Sequence, residues 1–194
     1  MLKKLFAAAA LLLSVQANAT LITVNLDQAS YNVGDTIKAS LVLTEIQTLV
    51  TGFDASLLFN QSLVELTDVK FGDFLSLPAV GSDQGDIRSA GKVDLYELFF
   101  GFSTEDIFDL SQVQANSPFV LATVSFKALK AGANQFALRG LSVMYLPEDG
   151  PEYSDNETRG RSATAQISGP AAVPAPATLL LLLPALLLLR RRQH

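Results

Sequence analysis

The chain has 194 residues, 49% of them hydrophobic and 17% charged, with 14 basic against 19 acidic side chains. That length suits one domain and falls short of two ordinary ones plus their connections. There is no Cys, no Trp and one His, His194, so thiol nucleophiles, disulfides, Cys/His metal sites and a His general base inside a fold are excluded.

The first 19 residues place Lys3 and Lys4 before an apolar run over residues 5–15, followed by Ala17-Asn18-Ala19. A basic start, a short apolar run and a small-x-small end describe a secretory signal peptide, with cleavage between Ala19 and Thr20. The run is short for a bilayer core of about 30 Å, which favours removal over a retained anchor. The domain therefore begins at Thr20 and extends to residue 169.

Within that body the dominant period is two. Ile37, Ala39, Leu41 and Leu43 alternate with polar or smaller neighbours, as do Phe53, Ala55, Leu57 and Phe59, and then Val120, Ala122, Val124, Phe126 and Ala128. Such alternation turns one side of a strand to a core and the other to water. Further strands are expected over residues 20–26, 64–71, 93–102, 134–143 and 163–167. Turn-forming stretches separate them at 32–35, 72–73, 81–91, 131–134 and 148–151. One short helix is expected over 103–112, with Thr104, Glu105 and Asp106 at its N-terminus and Ile107, Leu110 and Val113 at helical spacing. About eight or nine strands with no long helical pattern predict an all-β, two-sheet antiparallel sandwich.

Little in the body speaks for chemistry. Asp94 with Glu97, Glu105 with Asp106, and Glu148 with Glu152 are the carboxylate pairs a glycosidase would need, yet all sit beside turns or on strand faces where solvated charge is the default. No catalytic residue is assigned and the chain is read as a non-enzyme. No cofactor is assigned either. Asp83, Asp86, Glu148, Asp149, Glu152, Asp155 and Glu157 are the places a structural calcium would be sought, but they lack the spacing of a loop that wraps one ion. Tyr96, Phe99, Phe100 and Phe102 form the one dense aromatic cluster; Phe100 and Phe102 are expected in the core, with Tyr96 and Leu98 on their side, leaving Phe99 exposed as a ligand contact.

The last segment, residues 170–194, runs Val173-Pro174-Ala175-Pro176-Ala177-Thr178, five leucines over 179–183, Pro184-Ala185, four leucines over 186–189, then Arg190, Arg191 and Arg192. A block this apolar has no polar face to show water and is expected to enter lipid as a C-terminal hydrophobic helix, its arginines held on the cytoplasmic side. From Ala177 to the last leucine it is shorter than the 17–25 residues or so of a standard span. With the two ends set aside, five basic residues drop out, and the body holds nine against 19 acidic, a net charge of −10. That surface repels phosphate backbones and excludes nucleic acid as a partner.

The order Val-Pro-x-Pro-Ala-Thr-Leu, leucine-rich helix, arginine cluster resembles the PEP-CTERM sorting signal of exported proteins in Gram-negative bacteria. The resemblance implies processing by an exosortase in the inner membrane, with a transient membrane intermediate and delivery to the cell surface or extracellular matrix. One position departs from the pattern: the family's Glu between the prolines is Ala175. Physically, Pro174 and Pro176 keep this stretch extended and out of the helix that follows, as cleavage requires.

The body carries a second resemblance. Tyr31-Asn32-Val33-Gly34-Asp35-Thr36, residues 50–60, Leu63-Val64-Glu65-Leu66, residues 69–75 and the strand Val120-Leu121-Ala122-Thr123-Val124-Ser125-Phe126-Lys127-Ala128 are together similar to the cohesin domain. This implies a nine-stranded jelly-roll sandwich related to carbohydrate-binding modules, and a non-catalytic adhesion or scaffold role. The implied partners are a dockerin-like or other surface protein, or else secreted polysaccharide.

Overall fold

A computed structural model describes residues 20–169 apart from 45, 47, 78–79, 102, 116–117, 148–152 and 156–157. The signal segment 1–19, the tail 170–194 and its expected hydrophobic helix lie outside the described residues.

The strands are β1 (Leu21–Leu26), β2 (Ser30–Asn32), β3 (Thr36–Thr44), β4 (Leu49–Leu58), β5 (Val64–Phe71), β6 (Ser82–Ser89) and β7 (Lys92–Phe99), with β6 occupying the 81–91 stretch expected to turn. Helix α1 (Thr104–Val113) follows, then β8 (Phe119–Ala128), β9 (Gly132–Leu146), β10 (Tyr153–Asp155), β11 (Arg159–Arg161) and β12 (Ala163–Ser168). They assemble into a five-stranded sheet, β11-β1-β3-β8-β5, and a seven-stranded one, β2-β12-β9-β4-β7-β6 with β10 added to β9. The expected sandwich is thus present. Its pairings are antiparallel except at two short margins, where β11 runs parallel to β1 and β2 parallel to β12.

The core lies between the sheets. Ile37, Ala39, Leu41 and Leu43 of β3 and Phe53, Ala55 and Leu57 of β4 are all inside, as their alternation predicts. Phe126 of β8 meets Phe136 of β9 across the interlayer space, with ring centroids 4.8 Å apart, and Phe59 packs on the other side of Phe126 at 4.9 Å. Each such ring contributes roughly 1.5–3 kcal/mol through removal from water. Tyr31 is buried beside them at one end, its hydroxyl accepting from the Gln28 amide at 3.0 Å and donating to Asp27 Oδ1 at 2.9 Å.

Where strict alternation fails, an extra residue is the cause. Val120, expected inside, is exposed, and Leu121 is buried instead. Leu41 faces Ala122 but Val42 faces Val120, so Leu121 is a bulge that flips the phase of the strand's first residues. The long β9 changes phase in the same way: Asn134, Phe136 and Leu138 point inward, then Val143 and Tyr145. The irregularity falls beside Gly140, whose φ of +54° suits a residue without a β-carbon.

α1 begins close to its expected start, but its cap is Ser103. The Ser103 hydroxyl accepts from the Asp106 amide, and the Asp106 carboxylate accepts from the Ser103 amide, each at 3.1 Å, which satisfies two otherwise free donors.

The bulge in β8 generates a prediction. Gly72 follows β5 and its amide donates to the Leu121 carbonyl at 2.8 Å, so close that a β-carbon there would overlap the Val120 carbonyl oxygen. Gly72→Ala should lower the unfolding free energy by about 2 kcal/mol or more in urea titration. Gly81→Ala, where nothing lies within 4 Å of the added carbon, should leave it within about 0.5 kcal/mol of the parent.

Candidate binding face

Four strands of the larger sheet turn a common side to solvent. Opposed residues of an antiparallel pair share a face, so the registers of β9, β4, β7 and β6 lay out four rows. These are Ala137, Leu58, Lys92 and Ser89; Arg139, Ser56, Asp94 and Ile87; Ser142, Asp54, Tyr96 and Gly85; and Met144, Gly52, Leu98 and Asp83. Leu58, Tyr96, Leu98 and Met144 are half-buried in this array, and Ile87 stands out from it. The outer side of the five-stranded sheet is more polar, pairing Ser40 with Thr123 and Lys38 with Ser125, though Val42 and exposed Val120 also meet there.

Charge on the first face is held in place. Ser56 Oγ donates to Asp94 Oδ1 at 2.5 Å and Lys92 Nζ lies 2.6 Å from Asp94 Oδ2. Hydrogen bonding from Lys92 and then Ser56 keeps Asp94 below the usual carboxylate range, while partial burial and the Asp94 charge push Asp54 above it. Two glycines flatten the surface. A β-carbon at Gly85 would run into the Tyr96 ring, and one at Gly52 into the Glu97 carbonyl and the Leu98 and Met144 side chains. Tyr96 therefore lies over the β6 backbone. The result is a firm plane of apolar patches and oriented carboxylates, the kind of surface suited to another macromolecule.

The expected ligand contact needs correction: Phe99 is not exposed but buried in the core. Val93, Leu95, Glu97 and Phe99 share the inward side of β7, while Tyr96 and Leu98 face out and Phe100 is 48% exposed. Both phases of this segment are amphipathic, and Glu97 disguises the inward one. Val93 and Leu95, packed with the core, decide the phase, and the Phe99 ring occupies the space left by the missing side chain of Gly101. Phe102 lies outside the described residues.

Other expected groups disperse. Asp94 and Glu97 project from opposite sides of β7 and cannot flank one bond. Asp106 is engaged in the helix cap and Glu105 is exposed beside it. Asp83 and Asp86 face opposite sides of β6, where Asp86 pairs with Arg88 at 2.5 Å. Among the described residues no three His, Cys, Asp or Glu groups gather to hold a metal. Glu148, Asp149, Glu152 and Glu157 lie outside them. So do Ala17, Ala19, Val173, Pro174, Ala175, Pro176, Ala177, Arg190, Arg191 and Arg192. Thr20 is described: it is buried at the head of β1, its hydroxyl bonded to that of Tyr145 and its carbonyl accepting from the Arg159 amide at 2.8 Å.

Comparison with known proteins adds the fold's relatives. No family model matches the chain, and no curated protein does. Among solved structures, it is similar to the seventh ScaB type I cohesin of Pseudobacteroides cellulosolvens, at 16% identity and a TM-score of 0.60, covering 81% of this chain and 97% of that one. A cohesin in a type I cohesin–dockerin complex from Clostridium thermocellum matches with a TM-score of 0.55 at 11% identity, over 78% of this chain and 95% of the other. A non-cellulosomal cohesin from the archaeon Archaeoglobus fulgidus matches with a TM-score of 0.52 at 14% identity, over 77% and 91%. The chain has the cohesin-type jelly-roll fold.

Glu97, immediately behind the face, supplies a measurable consequence. It is 1% exposed, Ser82 Oγ donates to its Oε1 at 2.8 Å, and its Oε2 has no partner among the described residues. Burial pushes its carboxyl up from 4.5 to about 7. The folded chain thus holds a proton that the unfolded chain releases near 4.5. Glu97's contribution to stability is greatest below that pH, falls as pH rises, and is lost above about 7. Glu97→Gln should flatten that slope and leave the variant more stable at pH 8 by about 2 kcal/mol, with near equality at pH 4, in denaturant titrations across that range.

Proposed function

We propose that this chain is an exported, non-catalytic adhesion or scaffold module that docks a surface or matrix protein on the outer face of β9-β4-β7-β6. The observation that carries the reading is that face. Leu58, Tyr96, Leu98 and Met144 are held flat around the fixed Ser56–Asp94–Lys92 network. A protein partner of dockerin-like kind is in keeping with the related fold, since one such cohesin is seen in complex with a dockerin. Apolar area at the centre would supply affinity, and the oriented carboxylates would select a basic partner surface.

Export and sorting belong to the same proposal. The leader over 1–19 carries the chain through the inner membrane, and an exosortase acts on the segment Val173 to Ala177 while residues 179–189 sit in lipid and Arg190 to Arg192 stop transfer. The module is then released to the cell surface or matrix. The rival reading, a carbohydrate-binding module for secreted polysaccharide, loses its expected contact with Phe99 buried, and on this face Tyr96 is the aromatic that would serve it.

A photo-crosslinking residue placed at Tyr96 or Asp54 in the producing cells should yield an adduct of one defined protein mass, and the same residue at Thr123 should not. Asp94→Arg should weaken capture of that protein about tenfold or more. Saturable polysaccharide binding abolished by Tyr96→Ala, without any protein adduct, would favour the rival. Mass measurement of the surface-associated protein should show residues 179–194 removed; an intact C-terminus would mark an ordinary anchor.

A further inference from the structure

The two poles of the sandwich differ in a way that bears on how the membrane-anchored intermediate sits. β12 ends at Ser168, and the Ser168 carbonyl accepts from the Val33 amide at 3.0 Å, so the chain leaves the domain beside the β2–β3 turn. The β8–β9 turn lies at the same end, because the Gly34 amide donates to the Ala128 carbonyl at 2.8 Å and the Ala128 amide to the Asp35 carbonyl at 2.9 Å. Both turns hold an apolar side chain out to solvent, Val33 at 38% and Leu129 at 44% exposure. Thr20 lies at the opposite pole, together with α1.

Charge is sorted along the same axis. At the exit pole Lys38, Lys127 and Lys130 are exposed. Two local carboxylates are held by the chain: Asp27 Oδ1 accepts from Tyr31 Oη and from the Lys38 amide, and Asp35 Oδ2 from the Asn32 amide. Glu65 stands opposite Lys127, and Asp68 lies across Ser125 from Lys38, so the lysines here are closely balanced by acids. At the far pole α1 carries Glu105, Asp106 and Asp109 with no basic residue along its length, and Asp83 is exposed at the start of β6, against one exposed cation, Arg159, beside Thr20. A body of net charge −10 thus shows its least acidic end where the tail departs.

Nine residues, 170–178, separate the last described residue from Leu179, and three of them are proline. Even fully extended at about 3.5 Å per residue they reach about 32 Å, so an anchored tail confines the exit pole to the neighbourhood of the headgroups at an effective concentration in the millimolar range. Lysines near an anionic leaflet are attracted to it, and the acidic far pole is repelled.

We infer that, in the anchored intermediate, the domain rests on the lipid surface by its exit pole, with Val33 and Leu129 inserted at headgroup level and Lys38, Lys127 and Lys130 around them. This rests on the anchoring of residues 179–189 proposed above. Such seating keeps the chain's exit beside the membrane enzyme and turns the acidic pole outward.

The absence of native cysteine makes the test direct. Val33→Cys, Leu129→Cys and, as the far-pole control, Phe108→Cys would each carry one nitroxide in the full chain, reconstituted into phosphatidylethanolamine vesicles containing phosphatidylglycerol. The ratio of collision with oxygen to collision with a water-soluble nickel chelate should rise severalfold at 33 and 129 and stay aqueous at 108. Replacing Lys127 and Lys130 by Glu should lower that ratio. A chain that floats with the vesicles while 33 and 129 remain as aqueous as 108, or with all three in lipid, would overturn the seating and leave anchoring intact. A chain that does not float with the vesicles would overturn the anchoring, and the seating with it.

Discussion

The structure depends on the meeting of two inward rows of side chains. Phe126 from the five-stranded sheet and Phe136 from the seven-stranded sheet touch at a centroid separation of 4.8 Å, and Ile37, Leu41, Phe53 and Leu57 extend the contact to both sides. With no cysteine in the chain, nothing covalent ties the layers together, and burial of these apolar groups must offset the entropy of ordering the body. Every outward row follows from that contact. Once Val93 and Leu95 are committed inward, Tyr96 and Leu98 can only face solvent, and the proposed docking plane is the geometric remainder of the core.

Glu97 shows the tension in this arrangement. It occupies an inward position among Val93, Leu95 and Phe99, with Ser82 as its one hydrogen-bond donor and one oxygen left without a partner. The register keeps it there because moving it outward would require a one-residue slip, which would expose Val93, Leu95 and Phe99 together. The same constraint explains the bulges at Leu121 and near Gly140. Each inserts a single residue so that apolar groups on both sides of it stay inside.

Much of this was legible in the sequence. The clean alternations of β3 and β4 and the apolar stretch of β8 gave correct elements, and for β3 and β4 the correct faces, because one side of each strand is apolar and the other is not. The short segments Ser30–Asn32, Tyr153–Asp155 and Arg159–Arg161 are three residues each, too brief to carry a period. β6 was hidden for another reason. As the margin of its sheet it is wet on both sides, so Asp83, Gln84, Asp86 and Arg88 read as loop. The docking plane was least visible, since it depends on register among four strands. Phe99 was assigned to the wrong side because the run from Val93 to Phe100 is amphipathic in either phase. Gly52 and Gly85, whose missing side chains make room for Leu98, Met144 and Tyr96, were the signal that sequence reasoning passed over.

The chain leaves the sandwich at Ser168, beside the β2–β3 turn, at the pole opposite α1 and its carboxylates. Amide hydrogen exchange on the full chain, alone and in the presence of the partner recovered by crosslinking, tests the docking assignment most directly. The account predicts slowed exchange confined to the amides of β4, β6, β7 and β9. Slowing concentrated on β3, β5 and β8, with the larger sheet unchanged, would contradict it.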